Sequence, residues 1–263
     1  MTAPLLVERE RGVATLTLNR PDSLNALDPA MIEALTKETA ALEADSSVRC
    51  VVVRGAGRHF MAGGDIRYFA ALIDATPAER QRALVDFVDR VHPAIETLHR
   101  MPQPVLASVR GAVAGFGLSL LCACDLAIAA ESAYFTAAYR HLGLTPDGGL
   151  SHALPRMVGN KRAMEIVLLA ERFDAPEALR LGLVNRVVPD AELEAATAAM
   201  ARALASGPGL ATRNGKRLLR QSPSQPLSVQ LDAEAASFGA CAATEDLVEG
   251  VRAFLDKRAP RFG

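Results

Sequence analysis

The chain has 263 residues, half of them hydrophobic, enough for one large domain or a core with a smaller appendage. Lysine plus arginine (29) nearly balance aspartate plus glutamate (30), so no overall field recruits nucleic acid or an anionic membrane. Four cysteines, Cys50, Cys122, Cys124 and Cys241, have no partner pair at metal-site spacing, and three of them sit in apolar runs as small hydrophobes.

Residues 1–12 lack a basic stretch followed by an apolar one, so no signal peptide is expected. The longest apolar run, residues 112–124, falls short of the roughly 20 residues a membrane helix needs. A soluble, cytoplasmic protein is expected. Residues 5–10 and 13–18 alternate like paired strands around Arg11-Gly12, and residues 19–23 form a loop by composition. Asp28 caps a helix with Pro29 at its first position and Met31, Leu35 and Leu42 on one face. Residues 50–54 predict a buried strand. The turn Ala62-Gly63-Gly64-Asp65 then leads into a short helix over 66–69, and residues 74–100 predict a charged helical segment.

Residues 104–109 have the length and β-branched content of a buried strand; Gly111, Gly115 and Gly117 follow, then the apolar stretch 118–124. Residues 126–129 read as a further strand, and the turn Pro146-Asp147-Gly148-Gly149 closes the segment. Helices are predicted over 161–170 and 176–181, and a strand over 184–188. Beyond Asp190 only amphipathic helices remain, with a boundary between Asp190 and Ser206. Repeated strand–strand–helix units with a helical tail predict an α/β fold, divided into a core over 1–195 and a helical region over 196–263.

Two glycine-rich turns precede helices, one at 62–65 and one at 115–117. Each is readable as a tight connection, or as a backbone N–H donor to a shared carbonyl oxygen, since helix mouths leave donors free and favour negative charge. Neither turn carries the Lys-Ser/Thr of a phosphate loop or a dinucleotide fingerprint. Asp147 is readable as a turn residue or helix cap, or as a general base whose pKa an apolar pocket would raise. Asp65 reads as a cap, and Asp125, at the end of an apolar helix, as an acceptor for backbone donors. The five histidines make no pair at metal spacing, so no metal site is expected; His141 is assigned to the surface.

Six segments resemble the crotonase (enoyl-CoA hydratase/isomerase) superfamily over nearly the whole chain. They are LNRPDSLNAL at 18–27, HFMAGGDI at 59–66, VRGAVAGFGLSLLCACDLAIA at 109–129, LGLTPDGG at 142–149, GLVNRVVP at 182–189 and EGVRAFLDKRAPRF at 249–262. The resemblance implies a spiral of ββα units whose helical C-terminal region builds a homotrimer or a hexamer of two trimers. It implies an acyl-CoA thioester substrate, with coenzyme A as part of the substrate and no other cofactor. The enolate donors it implies are the amides of Gly64 and Phe116. Leu24, Ala26, Ala62, Asp65 and Ile66 match positions lining the CoA, Arg67 a basic position near its phosphates, and Phe254 and Lys257 positions that reach a neighbouring subunit's CoA.

Two departures bear on the chemistry. Where hydratases of this family carry two water-activating glutamates, this chain has Ser119 and Tyr139. Asp147 falls instead where single-acid isomerases, including ring-rearranging ones of phenylacetate breakdown, place their base. The resemblance thus implies double-bond migration, with Tyr139 shaping the pocket or donating a hydrogen bond and Ser119 filling space. Alternatives are hydration by Asp147 alone, or thioester or carbon–halogen hydrolysis through an aspartyl ester. A noncatalytic CoA-binding or RNA-binding role is the least favoured, because residues 28–45 carry one lysine, Lys37, against Glu33, Glu38 and Glu43.

Overall fold

The structure, a computed structural model, describes residues 3–263. β1 (Leu5–Glu10) and β2 (Val13–Leu18) pair antiparallel, with Leu5 opposite Leu18, around a turn in which Arg11 and Gly12 both have positive φ. That geometry matches the twist of a tight hairpin. α1 (Pro29–Ala44) starts at Asp28, whose side chain accepts from the Met31 amide, and β3 (Cys50–Gly55) then runs parallel to β2.

α2 (Ile66–Ala70) is the short helix expected there, and the charged helical segment after it divides in two: α3 (Pro77–Asp89), opened by a Thr76–Glu79 capping box, and α4 (His92–Arg100). Pro93 has no N–H to continue α3, so the chain breaks before it and restarts.

From here each turn of the chain gives one strand to each of two sheets. β4 (Val105–Val109) enters the large sheet and β5 (Ala112–Ala114) the small one; α5 (Phe116–Ala123) follows. β6 (Leu126–Ala130) and β7 (Tyr134–Thr136) repeat the pattern. After α6 (Leu150–Val158) and α7 (Asn160–Leu169) come β8 (Phe173–Asp174), α8 (Ala175–Arg180) and β9 (Arg186–Val188). The large sheet has the order β1-β2-β3-β4-β6-β9, parallel apart from its first pair, and the small sheet the order β5-β7-β8. This is the expected crotonase spiral. The strands of the small sheet are three residues or fewer, too short for a two-residue alternation to be read from sequence.

The large sheet is covered on both faces, as parallel sheets require. Leu16, Val51, Val53 and Ala107 belong to the main core with α1, α4 and α5, whereas Cys50, Val52, Leu106 and Ile128 pack against Leu193 and Ala201 of α9 (Leu193–Ala205). All eight residues of α5 are buried, which explains its lack of a polar face. α10 (Gly209–Gln221), α11 (Leu227–Ala242) and α12 (Glu245–Leu255) complete the chain. No described helix is long and apolar enough to cross a membrane.

Asp125 does more than accept a backbone bond. Its Oδ2 accepts from the Val105 amide (2.8 Å) and from Lys216 Nζ (2.7 Å), and its Oδ1 from Arg220 (2.8 Å). Lys216 also donates to the carbonyls of Gln103 (2.9 Å) and Leu98 (3.3 Å). Burial pulls the Lys216 pKa down, and the Asp125 carboxylate opposes that pull. One partly buried ion cluster therefore pins α10 to the starts of β4 and β6. Removing the carboxylate strands a buried ammonium, so Asp125→Ala should lose about 3 kcal/mol of stability, read as a lower midpoint in urea unfolding.

Candidate active site

Two backbone turns meet at the centre of the molecule. Met61 donates to Ala112 O (3.0 Å) and accepts from Ala114 N (2.9 Å), so residues 61–64 run alongside β5 and both segments end on their glycines together. A Cβ on Gly63 would lie 3.3 Å from Ala114 O and 3.6 Å from Phe116 N, and one on Gly117 would collide with the Met61 carbonyl. Only glycine permits this approach. On the first turn, Ala62 N donates to Leu24 O and Asp65 N to Leu27 O, but the Gly64 amide between them has no acceptor among the described residues. On the second, Phe116 opens α5, where no intrahelical acceptor exists, and its amide is likewise unpaired among the described residues. Both residues line one cavity of about 740 Å³.

The first turn is held by a loop that composition alone does not explain. Leu24 and Asn25 both sit at positive φ, +52° and +55°. Such a conformation costs energy for leucine and needs external support. Asn25, fully buried, supplies it: its Nδ2 donates to the carbonyls of Ala56, His59 and Phe60, and its Oδ1 accepts from the Arg20 amide. Arg20 in turn reaches Asp65 Oδ2 (2.8 Å) and Asp28 (3.1 Å). Asp65 also caps α2 through the Arg67 amide (2.9 Å), as its sequence context predicts. Burial alone would raise its pKa, but the bonds from Arg20 and Arg67 outweigh that and hold the carboxyl below its ordinary value.

The same cavity is lined by Asp147, partly buried on a turn that continues into Gly148 and Gly149, both at positive φ. Tyr139 donates to its Oδ1 at 2.6 Å; Oδ2 has no hydrogen-bond partner among the described residues. Burial pushes the Asp147 pKa up, only partly offset by the Tyr139 bond and the charge of His92. The other carboxylate lining the cavity, Asp89, has a side chain 67% exposed that faces His92 at 3.6 Å. Asp147 is therefore the desolvated acid of the cavity, whose walls include Phe69, Leu84 and Phe87.

Of the residues expected at the site, Gly64, Phe116, Asp147, Ala62, Ile66 and Tyr139 line this cavity. Leu24, Ala26, Asp65 and Arg67 each adjoin a lining residue without lining it, and the Asp65 carboxylate is already taken up by Arg20 and the α2 cap. Phe254 and Lys257 lie outside the cavity of this single chain, Phe254 at 84% exposure. Ser119 corrects the expectation that it only fills space: its Oγ stands 2.8 Å from Tyr139 Oη and donates to the Asp147 carbonyl at 2.9 Å. Asn25 carries no local signal of a site role, because the carbonyls it holds are remote in sequence, and His92 reaches the cavity from a separate helix. A second cleft, of about 460 Å³ between α9 and the large sheet, is lined by paired charges such as Arg54–Glu8 and Arg110–Glu194.

The turn geometry is testable. A Cβ on Gly148, at φ +55°, would come 2.8 Å from the Phe116 ring, whereas one on Gly143, at φ +68°, meets nothing within 4 Å. Gly148→Ala should cost about 1–3 kcal/mol, and Gly143→Ala clearly less, when their urea midpoints are compared.

The sequence profile of the enoyl-CoA hydratase/isomerase family matches residues 8–263. The chain is 40% identical over 255 residues to a Rhodobacter capsulatus protein named "Probable enoyl-CoA hydratase", covering 97% of this chain and 96% of that one. It is 36% identical over 259 residues to the 1,2-epoxyphenylacetyl-CoA isomerase of Escherichia coli, covering 98% and 97% respectively. A crystal structure of an enoyl-CoA hydratase from a Polaromonas species superposes with a TM-score of 0.91 at 33% identity, over 98% of this chain and 99% of that one.

Proposed function

The chain belongs to the enoyl-CoA hydratase/isomerase family, and within it we propose that it moves a double bond along the acyl group of an enoyl-CoA. The observation that carries this reading is one desolvated carboxylate, Asp147, sharing a cavity with the unpaired amides of Gly64 and Phe116. The thioester oxygen lies between the two amides. Asp147 takes a proton from the carbon next to the carbonyl, and the electron pair moves onto the oxygen. Donors already aimed at that oxygen are worth about 3–4 kcal/mol each when the charge develops. The dienolate is nucleophilic at two carbons, so the same carboxyl returns the proton two positions further along. Neither a metal nor a redox cofactor takes part, because a proton alone changes place.

Hydration is the second reading, favoured by the name of the Rhodobacter capsulatus relative. Against it, Ser119 is fully buried and spends its hydroxyl on Tyr139 and the Asp147 carbonyl, so neither residue supplies a carboxylate to activate water. Exposed apolar side chains on the last three helices, Leu219, Phe238 (80% exposed) and Phe254 among them, support a homotrimer or a pair of trimers. In that assembly Phe254 and Lys257 would reach a neighbouring copy's CoA.

A direct test offers a 3-enoyl-CoA and a 2-enoyl-CoA to the wild type and to Asp147→Asn. Conjugated thioester should form from the 3-enoyl compound, with turnover lowered about 10²–10⁴-fold in the variant. The base acts ionised and its pKa is raised, so wild-type activity should fall with decreasing pH while still above the ordinary carboxylate range. A product heavier by one water from the 2-enoyl compound, without isomerisation, would establish hydration instead.

A further inference from the structure

Ser119, Tyr139 and Asp147 make three oxygen–oxygen contacts: Tyr139 Oη to Asp147 Oδ1 (2.6 Å), Ser119 Oγ to Tyr139 Oη (2.8 Å) and Ser119 Oγ to the Asp147 backbone carbonyl (2.9 Å). Each contact needs one proton. A carboxylate and a carbonyl only accept, whereas each hydroxyl brings one proton. With Asp147 ionised, Tyr139 must donate to Oδ1, and Ser119 must choose between Tyr139 and the carbonyl. Two protons then serve three contacts. With a proton on Oδ1 the chain closes: Asp147 donates to Tyr139, Tyr139 to Ser119, and Ser119 to the carbonyl of Asp147.

We propose that Ser119 and Tyr139 are positioning residues forming a two-hydroxyl relay that is one proton short when Asp147 is ionised and complete when it is protonated. This rests on the reading of Asp147 as the base. The relay serves that role by holding Oδ1 and leaving Oδ2 as the oxygen without a partner. Because hydroxyl rotation alone switches the pattern, no backbone movement accompanies the proton. Ser119 is fully buried and Tyr139 nearly so, so water does not readily substitute for either hydroxyl. The remaining titratable groups lining the cavity are Asp89 of α3, His92 of α4 and His141 beside Tyr139. All three stay in place in the variants below.

The relay predicts a lowered Asp147 titration midpoint in Ser119→Ala, which removes one contact from the ionised pattern and two from the protonated one. The shift should be about one pH unit, the size of one hydrogen bond made in a single protonation state. Tyr139→Phe removes one charge-assisted contact from the ionised pattern and two neutral ones from the protonated pattern, so its shift should be smaller. Ser119→Cys keeps the volume with a poor donor and should move in the same direction as Ser119→Ala, which separates hydrogen bonding from packing. The midpoint is read by carbon NMR of protein labelled at its aspartate carboxyls, with Asp147→Asn identifying the resonance. An unchanged or raised midpoint in Ser119→Ala would overturn the relay. Turnover unaffected by Asp147→Asn would instead remove the base reading, and the titration would still report on the relay by itself.

Discussion

Everything at the site depends on two backbone segments approaching until their glycines touch. The contact is made by Met61 pairing with both ends of β5, and it is possible because Gly63, Gly115 and Gly117 present no side chain to each other's backbone. Two amides with no partner among the described residues are costly to keep in a cavity, since such groups are normally paired. Around them the amides of Ala62 and Asp65 are committed to the 24–27 loop, that of Gly115 to Thr136 and that of Leu118 to Gly115. On the proposed mechanism, a developing oxyanion is the partner the two unpaired amides take.

The same logic separates the chain's carboxylates. Asp65 and Asp125 are each tied to arginine or lysine and serve as joints, one between the 20–26 loop and α2, the other between α10 and the large sheet. Among the described residues Asp147 has no cation in hydrogen-bonding contact and one side-chain donor, the neutral Tyr139 hydroxyl, which spares it a fixed ion pair. The apolar wall from α2 and α3, with Phe69 against Phe87 at 5.8 Å between ring centres, keeps that acid poorly solvated. The joints are thus held charged and bonded, and the acid at the cavity is left with one free oxygen.

Much of this was legible in the residues. The hairpin, the buried strands β3, β4 and β6, and the caps at Asp28 and Asp65 follow from local pattern, because alternation, proline and cap chemistry act within a few residues. The small sheet was not legible, since three-residue strands carry no period, and neither was the break at Pro93 within a continuous charged pattern. The glycine turns could be found by composition, but their convergence is tertiary. Asn25 reads as an ordinary turn residue until its bonds to residues 56–60 are seen, and Ser119 as a space-filler until Tyr139 is placed beside it.

The central claim is that the Gly64 and Phe116 amides and the Asp147 carboxyl together make and hold an enolate. The most direct measurement follows a 3-enoyl-CoA deuterated at the carbon next to the thioester carbonyl, turned over in ordinary water, with the deuterium at that carbon read by NMR of the recovered thioester. The account predicts that one deuterium leaves that carbon with the wild type and that none above background leaves it with Asp147→Asn. Loss undiminished in the variant, or net conversion of the thioester with both deuterons still in place, would contradict it.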